Sequence, residues 1–180
     1  MIMLLLWPGC IFPGSTKPVI KVGLIAPFEG ELRHHGYQRL YGVKLALQEA
    51  NTTGGIAGYK VELVALNDYA NSEETALQSL ELIADPDVQA VIGQWDAQLW
   101  QSSADIYGKA HMPVINPVTF TDYALLPPHF KQHFTDLAGT KPNEQAQQAY
   151  LATQYLLNLV GQSAKTLGSP TRSNIWVYSQ

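Results

Sequence analysis

Val19-Ile20-Lys21-Val22-Gly23-Leu24-Ile25-Ala26-Pro27 is the stretch on which the fold turns. It is short, apolar and rich in β-branched residues, which argues a buried strand rather than a helix. A polar loop follows, Phe28 to Gly36, carrying two glycines and the His34-His35 pair. From Tyr37 the period changes. Leu40, Val43, Leu47 and Ala50 recur at helical spacing, so 37–52 is expected to be an amphipathic helix. Gly54-Gly55 ends it, because glycine accepts the left-handed conformation at a helix C-terminus. Tyr59 to Asn67 then alternates as a second strand.

The same alternation continues outward. Ser72, followed by Glu73 and Glu74, is expected to cap a second helix whose buried stripe is Ala76, Leu77, Leu80, Ile83 and Ala84. Asp85-Pro86 stops it. Val88 to Gly93 reads as a third strand, Gln94 to Gln98 as a loop, and a helix runs from there to about Ala110. Pro113 to Asn116 is a fourth strand, Phe130 to Leu137 an extended segment, and Asn143 to Gly161 a long helix. After a loop at 168–173, Ile175 to Tyr178 begins another strand. Parallel strands need crossover connections, so the expected fold class is α/β, a doubly wound, mostly parallel sheet with flanking helices.

The chain has 180 residues, 46% hydrophobic and 14% charged, with a formal net charge of −4. That apolar fraction can bury a core and excludes general disorder. With no dominant basic patch, nucleic acid is not an expected partner. The single cysteine, Cys10, excludes an internal disulfide framework and a multi-cysteine metal site. Met1 to Phe12 is too short for a membrane span and holds Pro8, and reads as the apolar core of an export signal, with residues 1–18 as leader and linker. Gly9 before Cys10 raises the alternative of a lipoprotein whose cysteine is acylated. The expected location is periplasmic or extracellular.

In an open parallel sheet, ligands bind beyond the C-terminal ends of the strands. That rule selects loops 27–36, 68–72, 94–98 and 117–123. The third leads into a helix N-terminus, whose free N–H groups and dipole favour a carboxylate. Trp95 offers an apolar wall there, Asp96 an N-cap or a ligand contact, and Ala97 and Gln98 the first helical amides. Thr119 and Phe120 follow the fourth strand, and His35 belongs to a basic cluster in the first loop. Adjacent His34 and His35 are poor chelators without other partners, and no metal or cofactor site is expected. Enzyme signatures are missing: the chain has neither a Gly-x-Gly-x-x-Gly loop after the first strand nor a Gly-x-Ser-x-Gly elbow. A hydrolase triad from Asp68, Asp105, His111 and Ser103 can be drawn on paper, but no spacing enforces it.

Four stretches together resemble a known family. These are Ile20-Lys21-Val22-Gly23 with Gly30 and Gly36; Gly42-Val43-Lys44-Leu45-Ala46 through Glu49-Ala50-Asn51 and Gly54-Gly55-Ile56-Ala57-Gly58; Val91-Ile92-Gly93 with Ala104-Asp105-Ile106-Tyr107; and Pro113-Val114-Ile115-Asn116-Pro117. In this order they resemble the type I periplasmic binding proteins, specifically the leucine/isoleucine/valine-binding group of ABC transporters. The resemblance implies two lobes that close on a small amino-acid-like ligand and a membrane permease as partner. It implies a truncated chain: 19–126 as the first lobe, 127–142 as the hinge crossing, with Phe130 to Leu137 as its strand, and 143–180 as the start of the second lobe. It also implies a ligand contact at Thr119 and a pocket-lining role at His35. Ala97 stands where the family commonly has a serine, keeping the backbone N–H without the hydroxyl. The expected function is solute binding without chemistry; a receptor's extracellular sensor domain with the same fold is the alternative, and a hydrolase the third reading.

Overall fold

The computed structural model describes residues 18–167 and Arg172. Most of the expected leader, and the strand expected at 175–178, lie outside the described residues. Four parallel strands form one sheet: β1 (Val19–Ala26), β2 (Lys60–Asn67), β3 (Val88–Ile92) and β4 (Val114–Ile115). Their spatial order is β2-β1-β3-β4. The sheet therefore winds outward in both directions from β1, and a crevice opens between the outgoing connections of β1 and β3.

β1 shows why its sequence is a continuous apolar run. Ile20, Val22, Leu24 and Ala26 enter the core on one face, while Ile25 enters the core on the other. The side-chain period of two places alternate residues on opposite faces, and both faces are covered by helices. On the first face pack α1 (Arg33–Thr52) and α5 (Glu144–Leu167), through Val43, Leu47, Ala149, Leu156 and Val160. On the second pack α2 (Ser72–Ala84) and α3 (Ala97–Lys109), through Leu82 and Tyr107. A third cluster joins α4 (Phe130–Ala138) to α1 and α5, with Phe130 and Phe134 against Leu45, Ala46 and Tyr150.

Three local expectations are corrected. α1 begins at Arg33, so His34 and His35 lie in its first turns and not in a loop. A Cβ on Gly36 would stand 1.9 Å from the carbonyl oxygen of Pro27. The helix therefore starts early because glycine lets its first turn close onto the exit of β1, a tertiary contact that propensity does not register. The cap of α2 is Asn71, not Ser72: its Oδ1 accepts from the amides of Glu73 and Glu74 at 2.8 and 3.1 Å. Residues 130–138 are helical, not an extended crossing strand. Phe130, Phe134 and Leu137 follow the i, i+4, i+7 spacing, and the amide of Gly139 returns to Thr135 O to close the helix. Beyond these, α5 packs on the sheet through Ala149, Leu156 and Val160. It lies close against α1 at Gly42, where a Cβ would come within 2.4 Å of Ala146 O.

This packing has a measurable consequence. Leu156 is fully buried in the sheet-facing core, whereas Asn158 of the same helix is exposed. Leu156→Ala is expected to cost about 2–5 kcal/mol, and Asn158→Ala to stay within about 0.5 kcal/mol of the parent. Urea unfolding followed by circular dichroism measures both; equal midpoints for the two variants would show that α5 does not belong to this core.

Candidate functional site

A cleft of about 650 Å³ opens at the C-terminal ends of β1, β2 and β3. Three connections build its wall. Pro27, Leu32, His35 and Arg39 come from the exit of β1 and the start of α1; Ala70, Asn71, Ser72 and Glu73 from the turn into α2; Trp95, Asp96, Gln98 and Leu99 from the turn into α3. Two helix N-termini thus point toward one opening.

Their amides are largely engaged already. Asp96 Oδ1 accepts from the amides of Gln98 and Leu99 at 2.8 and 3.1 Å, and the Trp100 amide donates to Asp96 O. The cap satisfies donors that a ligand carboxylate would otherwise use, leaving the Ala97 amide as the one at this terminus outside the cap. Ala97 lines a smaller adjoining cavity of about 230 Å³ with Gly93, Gln94, Trp100 and Asn116; Trp95 and Asp96 border both spaces.

Charge in the cleft is balanced around one cation. The Arg39 guanidinium lies 4.6 Å from the centroid of the Trp95 ring, a cation–π contact. Burial pushes Arg39 down to about 10, while Asp68 and Asp96 act in the opposite sense; it remains charged at neutral pH. Asp68 is buried beneath the loop and accepts from the Ala70 amide at 2.9 Å and from Thr75 Oγ1 at 3.3 Å. Burial raises its pKa, against those hydrogen bonds and the attraction of Arg39. His35 is held below the ordinary histidine value, first by burial and then by repulsion from His34 and Arg39, so its imidazole is neutral at pH 7. His35 Nδ1, Arg39 Nε and Trp95 Nε1 are buried without hydrogen-bond partners among the described residues.

The residues singled out in the sequence divide into three groups. His35, Trp95, Asp96 and Gln98 meet on the main cleft, and Ala97 on the adjoining cavity. Thr119 is exposed, lies outside both linings, and its hydroxyl donates to Asn116 O at 2.9 Å within its own turn. Phe120 packs into the core, with its ring 5.6 Å from that of Tyr155. Sequence reasoning missed Arg39, although its spacing of four from His35 places both on one helical face once the helix starts at Arg33. The paper triad does not form a nucleophilic centre: Ser103 is buried with its hydroxyl on the Leu99 and Trp100 carbonyls, and Asp105 is exposed.

Comparison with known proteins places this geometry in context. A family model described as periplasmic binding protein matches residues 19–131. A Leu/Ile/Val-binding protein homolog 2 of Brucella abortus (strain 2308) is 31% identical over 106 residues, 59% of this chain and 28% of the relative. Leu/Ile/Val-binding protein BraC3 of Rhizobium johnstonii is 27% identical over 138 residues, 77% of this chain and 36% of the relative. This chain thus spans between a quarter and two fifths of the length of these two relatives. Among solved structures, the branched-chain amino acid transporter substrate binding protein LivJ of Streptococcus pneumoniae, in complex with isoleucine, matches with a TM-score of 0.52 at 29% identity. The match covers 55% of this chain and 28% of that one.

The role of Asp96 is separable by substitution. Asp96→Ala removes the cap of α3 and is expected to cost about 0.5–2 kcal/mol, whereas Asp96→Asn keeps a side-chain oxygen in place and stays within a few tenths. Chemical denaturation of the ligand-free protein reads the difference. Equal stability of all three proteins would mean that the carboxylate does not serve α3.

Proposed function

The chain belongs to the periplasmic binding protein family, and from that premise we propose that it is an extracytoplasmic solute-binding component of an ABC transporter that holds a small amino-acid-like ligand. One observation carries the reading: a cleft lies at the C-terminal ends of three parallel strands, with a cation, an acid and an aromatic wall at its mouth. A zwitterionic ligand needs that combination, since its carboxylate seeks donors and its ammonium group seeks an acid. The names of the Brucella and Rhizobium relatives and the isoleucine bound to LivJ agree with this ligand class.

In this reading the ligand carboxylate rests at the Ala97 amide, beside the end of α3, with Gln98 within reach of the main cleft. Trp95 forms the apolar wall, and neutral His35 and charged Arg39 close the opposite side. Asp96 holds the terminus in position and adds negative charge beside the site. Thr119 and Phe120 bound the β4 side, the latter through packing. A second lobe, implied by the family's architecture, completes the grip. Closure of the two lobes is the signal that a membrane permease reads, so the free energy of binding drives a conformational change and no covalent step. The location is outside the cytoplasm, with Cys10 as the candidate point of lipid anchoring.

Isothermal titration calorimetry of the full-length gene product, against amino acids, amides and small carboxylates, tests this proposal. Saturable heat is expected with at least one of them, and Trp95→Ala is expected to weaken that affinity tenfold or more while Asn158→Ala leaves it unchanged. Absence of heat across the whole panel would overturn the assignment.

A further inference from the structure

Away from the cleft, toward the C-terminal end of α1, a second cavity of about 680 Å³ is lined by Leu45, Gln48, Glu49, His129, His133 and Asp136, among others. We infer that Glu49, His129 and His133 form a binding site for a zinc-class divalent cation.

The geometry is that of ligands converging on a shared point. His129 Nε2 lies 3.3 Å and His133 Nδ1 3.6 Å from the same oxygen, Glu49 Oε1. The three donor atoms all lie within 4.8 Å of one another. Both nitrogen–oxygen separations exceed the ordinary hydrogen-bond range of about 2.7–3.2 Å, and Glu49 Oε1 is buried without a hydrogen-bond partner among the described residues. An ion with metal–ligand distances of about 2.0–2.1 Å in tetrahedral coordination places its ligands about 3.3–3.4 Å apart. The spacing is thus wide for direct hydrogen bonds and close to what a small cation requires. Both imidazoles are half-exposed.

The supports are those that metal ligands use. His129 stands at the N-terminal boundary of α4 and His133 follows it by one turn, so the backbone presents both rings on one face; their centroids are 4.4 Å apart. The other carboxylate oxygen, Glu49 Oε2, accepts from Tyr150 Oη at 2.5 Å and from Gln154 Nε2 at 3.4 Å, which fixes the orientation of Oε1. Two imidazoles and one carboxylate suit zinc and its neighbours rather than calcium or magnesium. Water takes the fourth position, and Asp136 stands at the edge of the same cavity. The ion would join α1 to α4, two helices whose mutual packing otherwise rests on Leu45, Ala46, Phe130 and Phe134. Its role is therefore structural, and independent of the ligand assigned to the cleft.

Titration of the chelator-treated full chain with zinc chloride, read by calorimetry, is expected to give one ion per chain. At about a hundredfold excess over the dissociation constant the melting temperature is expected to rise by roughly 5–10 °C. His129→Ala and His133→Ala each weaken binding tenfold or more, while His34→Ala does not. Cobalt(II) supplies a second readout: visible absorption of a tetrahedral site in the parent, absent from the His129→Ala/His133→Ala double variant, whose fold is checked by circular dichroism. Undiminished zinc affinity in the double variant, equal loss in His34→Ala, or no binding by the parent overturns the inference.

Discussion

The burial of β1 governs this structure. It pairs in parallel with β2 on one edge and β3 on the other, while Leu24, Ile25 and Ala26 are wholly excluded from solvent. A strand enclosed on both edges and both faces has only its ends free. Its carbonyl end opens where the connections to α1 and from β3 to α3 diverge, so the cleft is a direct consequence of the winding order β2-β1-β3-β4. The apolar composition of Val19–Ala26 and the position of the cleft are two expressions of one packing constraint.

At that opening, stability and binding compete for the same backbone donors. Asn71 and Asp96 cap α2 and α3 with side-chain oxygens, each satisfying two amides. A helix N-terminus is often pictured as an unoccupied anion cradle, but here the carboxylate already present occupies most of it. What the cap leaves open at the cleft is narrower and more directional: the Ala97 amide, the Gln98 side chain and the Arg39 guanidinium over the Trp95 ring. Arg39 is held between the fields of Asp68 and Asp96, which keep it charged despite its burial. Glu49, nearer the C-terminal end of the same helix, accepts from the hydroxyl of Tyr150 on α5 and faces the imidazoles of His129 and His133 beside α4.

The alternation of strands and helices, the loops that line the cleft, and the capping role of Asp96 were legible in the sequence because each rests on local chemistry. Val19–Ala26 had no other reading than a buried strand, and Asp96 directly precedes a helical stripe. Other features were not legible, for different reasons. Arg33 to Gly36 looked like loop because two histidines and a glycine are weak helix formers; contact with Pro27 outweighs that preference. Phe130 to Leu137 reads as extended because its apolar residues are few and widely spaced; their i, i+4, i+7 spacing is that of a helix. Phe120, half-buried, packs against the sheet-facing core, a contact that an aromatic residue after a strand end does not announce in the sequence.

Sequence alone determined the four strands, their parallel pairing and most of the helices between them, because hydrophobic periodicity and the need for crossover connections are properties of the chain itself. Only the tertiary structure decided which side chains share a space. It placed α5 on the sheet, brought Arg39 over Trp95, and gathered Glu49, His129 and His133 across eighty residues of intervening chain. Such groupings depend on how helices dock, which is set by volumes and close approaches such as that of Gly42 to Ala146. No local pattern encodes them, because the contacts that fix them form between residues far apart in sequence.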